Sequence, residues 1–244
     1  MLHTLFHWRP GREPLVAAAA GLMVVGLSVA MIPLERWPVA SILVRDLGQV
    51  FLVGTVLPLA YILRSGDRFA DFGLRLAKWP LFLAINIVLA GLLLYQFQRT
   101  PPPDGFRWDA TAIWKAAYVF VSVTFECLFF YSFLRTLFER AFGAVAGIAL
   151  AALFYSFHHA GFQPEFAKLF LVGVMYATVF RFGNSALLIY PFFLGVGGIY
   201  DVLIRSKVVA AIDYPELRTC VLAIAMAAAI LWAWRRARSP QTGV

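Results

Sequence analysis

Eight apolar runs, spaced from one end of the chain to the other, decide what this sequence can fold into. They cover residues 15–34, 47–63, 79–97, 110–134, 142–158, 167–180, 185–204 and 217–234. A bilayer core takes about 20 residues of helix, and only helices or closed barrels satisfy their backbone groups in lipid. Runs this long without alternation read as helices. The expected fold is therefore all-α, a polytopic transmembrane helical bundle of roughly eight spans. The sixth run is short and predicts a broken or half-buried element. Composition agrees: 61% of the 244 residues are hydrophobic and 14% charged, where a soluble domain carries about half and about a quarter.

Function classes fall away on the same grounds. Two cysteines, Cys127 and Cys220, rule out a disulfide framework or a cysteine-built zinc site. The net charge of +8 lies in short loops between apolar runs, so no nucleic-acid partner is expected. The first run is too long for a removable signal peptide and has no evident small-residue cleavage site. No repeat or soluble domain interrupts the pattern, which predicts one integral membrane domain over 1–244. The proline-rich stretch 99–109 reads as a surface loop, and 65–78 as an interfacial segment. Twelve Lys and Arg fall on the side of the N-terminus and nine on the other. That places the N-terminus inside, in a plasma (inner) membrane.

Ionisable residues inside spans carry the functional signal, because lipid tolerates them only beside a partner or a cavity. Four stand out: Glu126, His158, His159 and Asp201. Asn86 is also intramembrane, where an amide can bridge two helices. Glu126 lies sixteen residues before a turn near Phe142 and His158 sixteen after it. Both then sit about 24 Å from the turn at 1.5 Å per residue. Asp201 lies sixteen residues into the seventh run and joins the same layer. His158 and His159 differ by about 100° around their helix, so one of them is expected to act as a spacer or to bond a neighbouring helix.

The run Phe125-Glu126-Cys127-Leu128-Phe129-Phe130-Tyr131, with Phe142-Gly143 downstream, resembles the first motif of the CAAX protease and bacteriocin-processing family of intramembrane proteases. That motif has two glutamates, three residues and an arginine. Glu126 takes the first glutamate position, Cys127 stands at the second and Tyr131 at the arginine. The second motif, a phenylalanine with a histidine four residues on, is Phe154 to His158. The third, a histidine with Asn or Asp four residues on, falls on Gly197 and Asp201, so its histidine is missing. Asp71-Phe72-Gly73-Leu74-Arg75 also resembles a short Gly-Leu-Arg segment common in these proteins. The family-like core covers about 64–204.

The resemblance implies an endopeptidase that hydrolyses a peptide bond near the membrane surface of a membrane-associated protein or peptide. Glu126 would be the base that activates water, with His158 sharing and positioning it. The catalytic set is then Glu126, His158, Asp201 and His159, with no cofactor. Because Gly197 offers no side chain, His159, Tyr131 or Ser132 would have to stabilise the oxyanion. The competing mechanism is a divalent metal such as zinc, held by Glu126, His158 and Asp201 with water in the fourth position. Arg135, one turn beyond Tyr131, either reaches back towards the missing arginine or, as preferred, snorkels to the interface. Two rivals stand beside the enzyme: a non-catalytic relative that binds a membrane peptide or partner, and a small transporter subunit.

Overall fold

The computed structural model describes residues 5–34, 36–99, 106–159, 165–205 and 212–238. Eight helices appear there: α1 (Arg12–Leu34), α2 (Pro38–Ser65), α3 (Trp79–Phe97), α4 (Ala110–Phe142), α5 (Ala144–His158), α6 (Phe166–Gly183), α7 (Phe192–Ile204) and α8 (Pro215–Arg238). No strand occurs among the described residues. Six of the helices are long and apolar enough to cross a membrane. The two shorter ones are α5 and α7, so the expected weakness of the sixth run is corrected. Helix α6 is unbroken over 18 residues, because its apolar stretch continues through Arg181 to the left-handed cap at Asn184.

Burial in α3 shows which solvent the bundle is built for. It hides only Asn86 and Ala90, while Leu81, Ile85, Val88 and Leu92 face outward. A helix in water does the reverse. Asn86 bridges as an amide in lipid should: Nδ2 donates to Leu187 O at 3.0 Å, and Oδ1 accepts from Phe193 N at 2.6 Å. This is a membrane protein.

Helix α4 is the axis of the bundle. Every residue from Phe125 to Phe138 is buried, which requires neighbours all round. A single residue, Gly143, separates α4 from α5. Its φ of +92° and the Leu5 backbone against its Hα exclude any side chain there. The α4–α5 hairpin is thereby fixed in register. Successive helices alternate in direction. The Gly143 end also gathers the α1 start and α2 end, where Arg140 of α4 pairs with Glu13 at 3.0 Å and Asp67 at 3.1 Å. Three helices widen into i→i+5 turns, over Ile42–Val56, Cys127–Leu134 and Asp201–Arg205.

The segment 66–78, read from its sequence as interfacial, is folded partly under the bundle. A short 3-10 turn, Phe69–Phe72, drives the Phe72 ring fully into the bundle. Ser132 Oγ donates to Phe72 O at 2.5 Å, and Ala186 N to Gly73 O at 2.9 Å. These two bonds tie the segment to α4 and to the α6–α7 connection. Arg135 is corrected too: it is buried rather than snorkelling. Its Nε donates to Tyr131 O at 2.8 Å, Nη2 donates to Asn184 Oδ1 at 2.8 Å, and Nη1 pairs with Glu139. Acceptors from α4 and the α6 cap hold it at the bundle's end. Its Nε reaches back one turn to Tyr131, while the rest of the guanidinium turns to Glu139 and Asn184.

Candidate active site

Glu126 sits in α4 where the helix begins to widen, a geometry frequent at functional positions. His158 closes α5, and the hairpin brings the two level. His158 Nε2 stands 3.6 Å from Glu126 Oε1, with both side chains buried. That separation is too long for a direct hydrogen bond and short enough for one water to touch both.

The polar chain behind His158 sets its tautomer. Ser28 Oγ gives its one proton to Val24 O at 3.1 Å, so its oxygen must accept from Gln49 Nε2 at 2.9 Å. The same amide nitrogen faces His158 Nδ1 at 3.4 Å. An amide nitrogen only donates, so Nδ1 accepts and the ring proton resides on Nε2, towards Glu126. The ring itself is wedged by aromatics, stacked on Phe130 at 4.9 Å and edge-on to Phe125 at 5.6 Å. Sequence reasoning passed over Ser28 and Gln49. Gln49 is the one amide in the second apolar run, and that was the available signal.

His159 is held first by its own helix. The helix ends on it, and its Nδ1 donates to Tyr155 O, one turn back, at 2.8 Å. The ring comes to lie 3.9 Å from that of His158. Glu126, His158 and His159 each offer a ligand atom within 4.8 Å of the others, a grouping that could hold a metal ion. Asp201 is outside this group. It lies 3.4 Å from Lys168 Nζ, on the α6–α7 side. The three-ligand set expected from sequence is corrected accordingly, with His159 in place of Asp201. Glu126 and the Nε2 lone pair of His159 are the ready donors. The proton on His158 Nε2 would have to leave before that nitrogen could bind a cation.

A side chain at Gly197 would strike the hydroxyl of Tyr176. Tyr176 Oη donates to Phe193 O at 3.3 Å. Cys127 is buried within α4. Tyr131 is fully buried, its ring 5.6 Å from Tyr155 and 5.8 Å from Tyr176. Its hydroxyl meets no partner at hydrogen-bond geometry among the described residues, with the Tyr155 phenol beside it. Ser132 points away, to Phe72 O.

No protein-family model matches this sequence, and neither the characterised proteins nor the solved structures give a match to it.

Proposed function

We propose that the protein is an intramembrane endopeptidase, resembling CAAX-type proteases, that hydrolyses a peptide bond of a membrane-associated protein or peptide. One observation carries this reading: Glu126 and His158, from two helices, face each other across a buried 3.6 Å gap. A water in that gap accepts from His158 Nε2–H and donates to Glu126. Its second lone pair is left for attack on a carbonyl carbon, while the proton passes to the carboxylate. Of the three side chains that could replace the missing oxyanion donor, Ser132 is committed to Phe72 O. His159 gives its proton to Tyr155 O. Tyr131 remains, an O–H donor without an acceptor. Asp201, engaged with Lys168, orients the α6–α7 side. The protein resides in a plasma (inner) membrane with its N-terminus inside.

A second reading, a non-catalytic relative that binds a membrane peptide, draws on the Tyr176 hydroxyl at Gly197, which closes the place of a family side chain. One experiment separates the two. Membranes bearing wild type or Glu126→Gln, at equal expression, are compared for new peptide N-termini by mass spectrometry. The endopeptidase reading expects products made by wild type to fall by at least ~10²-fold, the scale of general-base loss. Unchanged cleavage by Glu126→Gln, or no products from either protein, rejects it.

A further inference from the structure

At the end of the bundle opposite to His158, the folded segment 66–78 and the α6–α7 connection enclose a basic cavity that the proposed hydrolysis does not use. It has two lobes, of about 630 and 450 Å³, which share Arg75, Arg181 and Asn184. The walls are built. Asn184 Nδ2 donates to Ala70 O at 3.3 Å and Asp71 O at 3.1 Å, and an Arg75 guanidinium nitrogen donates to Gly183 O at 2.5 Å. The Gly-Leu-Arg segment is thus held under α6 with its arginine at the junction of the lobes.

The charges around this cavity do not balance. Six cations surround it: Arg68, Arg75, Lys78, Arg135, Arg140 and Arg181. Four acids answer them. Asp71 pairs with Arg68 at 2.9 Å, and Asp67 and Glu13 both pair with Arg140. Glu139 is shared between Arg135 and Arg181, the latter at 2.7 Å. Two positive charges are in excess, and Arg75 and Lys78 meet no acid among the described residues. The smaller lobe is lined by Arg75, Lys78 and Arg181 and by no carboxylate.

The rim supplies the second half of the argument. Phe182 is 85% exposed, Leu76 73%, Leu81 55% and Trp79 54%. They stand where α3 begins and α6 ends, the level at which tryptophan anchors helices in an interface. A soluble anion has no use for that apolar fringe. A phosphate carried on acyl chains satisfies both parts.

We infer that this cavity is a binding site for the headgroup of an anionic phospholipid, with Arg75, Lys78 and Arg181 taking the phosphate and the Phe182 and Leu81 fringe taking the chains. The purified full-length protein in neutral detergent is titrated with dioctanoyl phosphatidylglycerol, dioctanoyl phosphatidylcholine or inorganic phosphate, and the melting temperature is followed. Phosphatidylglycerol alone should raise it. Lys78→Gln, whose side chain makes no bond that folding needs, should weaken the apparent affinity about 5-fold, and Lys78→Gln with Arg75→Gln about 25-fold. Arg107→Gln, at the opposite end, should leave it unchanged. An equal response to phosphate would overturn the lipid source, and an equal response to phosphatidylcholine would overturn the headgroup preference. A phosphatidylglycerol response untouched in Lys78→Gln and in the double variant would place the lipid elsewhere. None of these readings depends on cleavage, so the site stands or falls apart from the endopeptidase.

Discussion

Tyr131 is the residue where the local chemistry is least balanced. A buried hydroxyl without a partner costs about 1–3 kcal/mol, and nothing in its packing among Tyr155 and Tyr176 returns that energy. Tyr131→Phe keeps the ring and removes the orphan group. The expected outcome is a melting temperature unchanged or raised, together with a loss of cleavage of about 10- to 100-fold, somewhat under the full effect of one oxyanion donor. A structural hydroxyl would give the opposite pair, lower melting and intact cleavage. Measuring both on one preparation decides it. The relay from Ser28 through Gln49 to His158 has a different logic, since each bond fixes the next proton and leaves only His158 Nε2, which faces Glu126, without a direct hydrogen bond among the described residues. Glu126 and His158 were legible in the sequence because a charge or an imidazole inside an apolar run is conspicuous, and the tight turn at Gly143 makes counting from it exact. Ser28 and Gln49 were not, because a neutral polar side chain in such a run is ordinary. Arg135 misled for another reason: what decides its direction is Glu139 and Asn184, one of them 49 residues away.

At the scale of elements, α2, α4 and α8 are joined by an ion pair that spacing alone does not announce. Arg218 grips Asp46 through two bonds, 2.7 and 2.8 Å, and Tyr118 donates to the same carboxylate at 2.5 Å. All three residues are buried. The sequence places Asp46 just before the second apolar run and Arg218 just inside the eighth, so both read as end-of-helix charges. The helices extend past those limits because each charge neutralises the other. Taking two ions out of water is costly, and geometry this close repays it only while both partners remain. Asp46→Leu or Arg218→Met alone should lower stability by about 3–5 kcal/mol, leaving one buried charge unpaired. The double variant should be less damaged than either single one, losing about 1–3 kcal/mol for the stranded Tyr118 hydroxyl. Detergent melting of the four proteins closes the cycle. Additive losses would show that the pair is not coupled. The eight helices themselves were legible from hydrophobicity, which acts along the chain. The folding-under of 66–78 was not, since an interleaved basic and aromatic segment suits a lipid interface as well as the underside of a bundle.

For the whole molecule, the alternation of eight helices puts the Arg12 start of α1 and the Arg238 end of α8 at the same end, with the basic cavity and Gly143. Glu126 and His158 lie about 24 Å away along the hairpin, towards the other end. Helix α5 stops at His158 after 15 residues, or about 22 Å, short of the roughly 30 Å hydrocarbon core. The histidines therefore face the site from the end of a helix shorter than a membrane core. A carboxylate–imidazole centre near one face and a phosphate-seeking cavity at the other give the bundle two chemically distinct ends. The proposed orientation, drawn from twelve Lys and Arg on the N-terminal side in the sequence against nine on the other, would put the cavity end in the cytoplasm. Helix α3 tests this because exposed, uncharged residues flank it, Ala77 before Trp79 and Gln98 after Phe97. Cys127 is buried, so Cys220→Ser alone gives a background with no exposed thiol among the described residues. In that background Gln98→Cys should react with a membrane-impermeant maleimide on intact cells, and Ala77→Cys only after the membrane is opened. Neither substitution alters the charge count that sets orientation. Labelling of Ala77→Cys on intact cells, with Gln98→Cys protected, would invert the molecule and put the phosphate-seeking cavity in the outer leaflet.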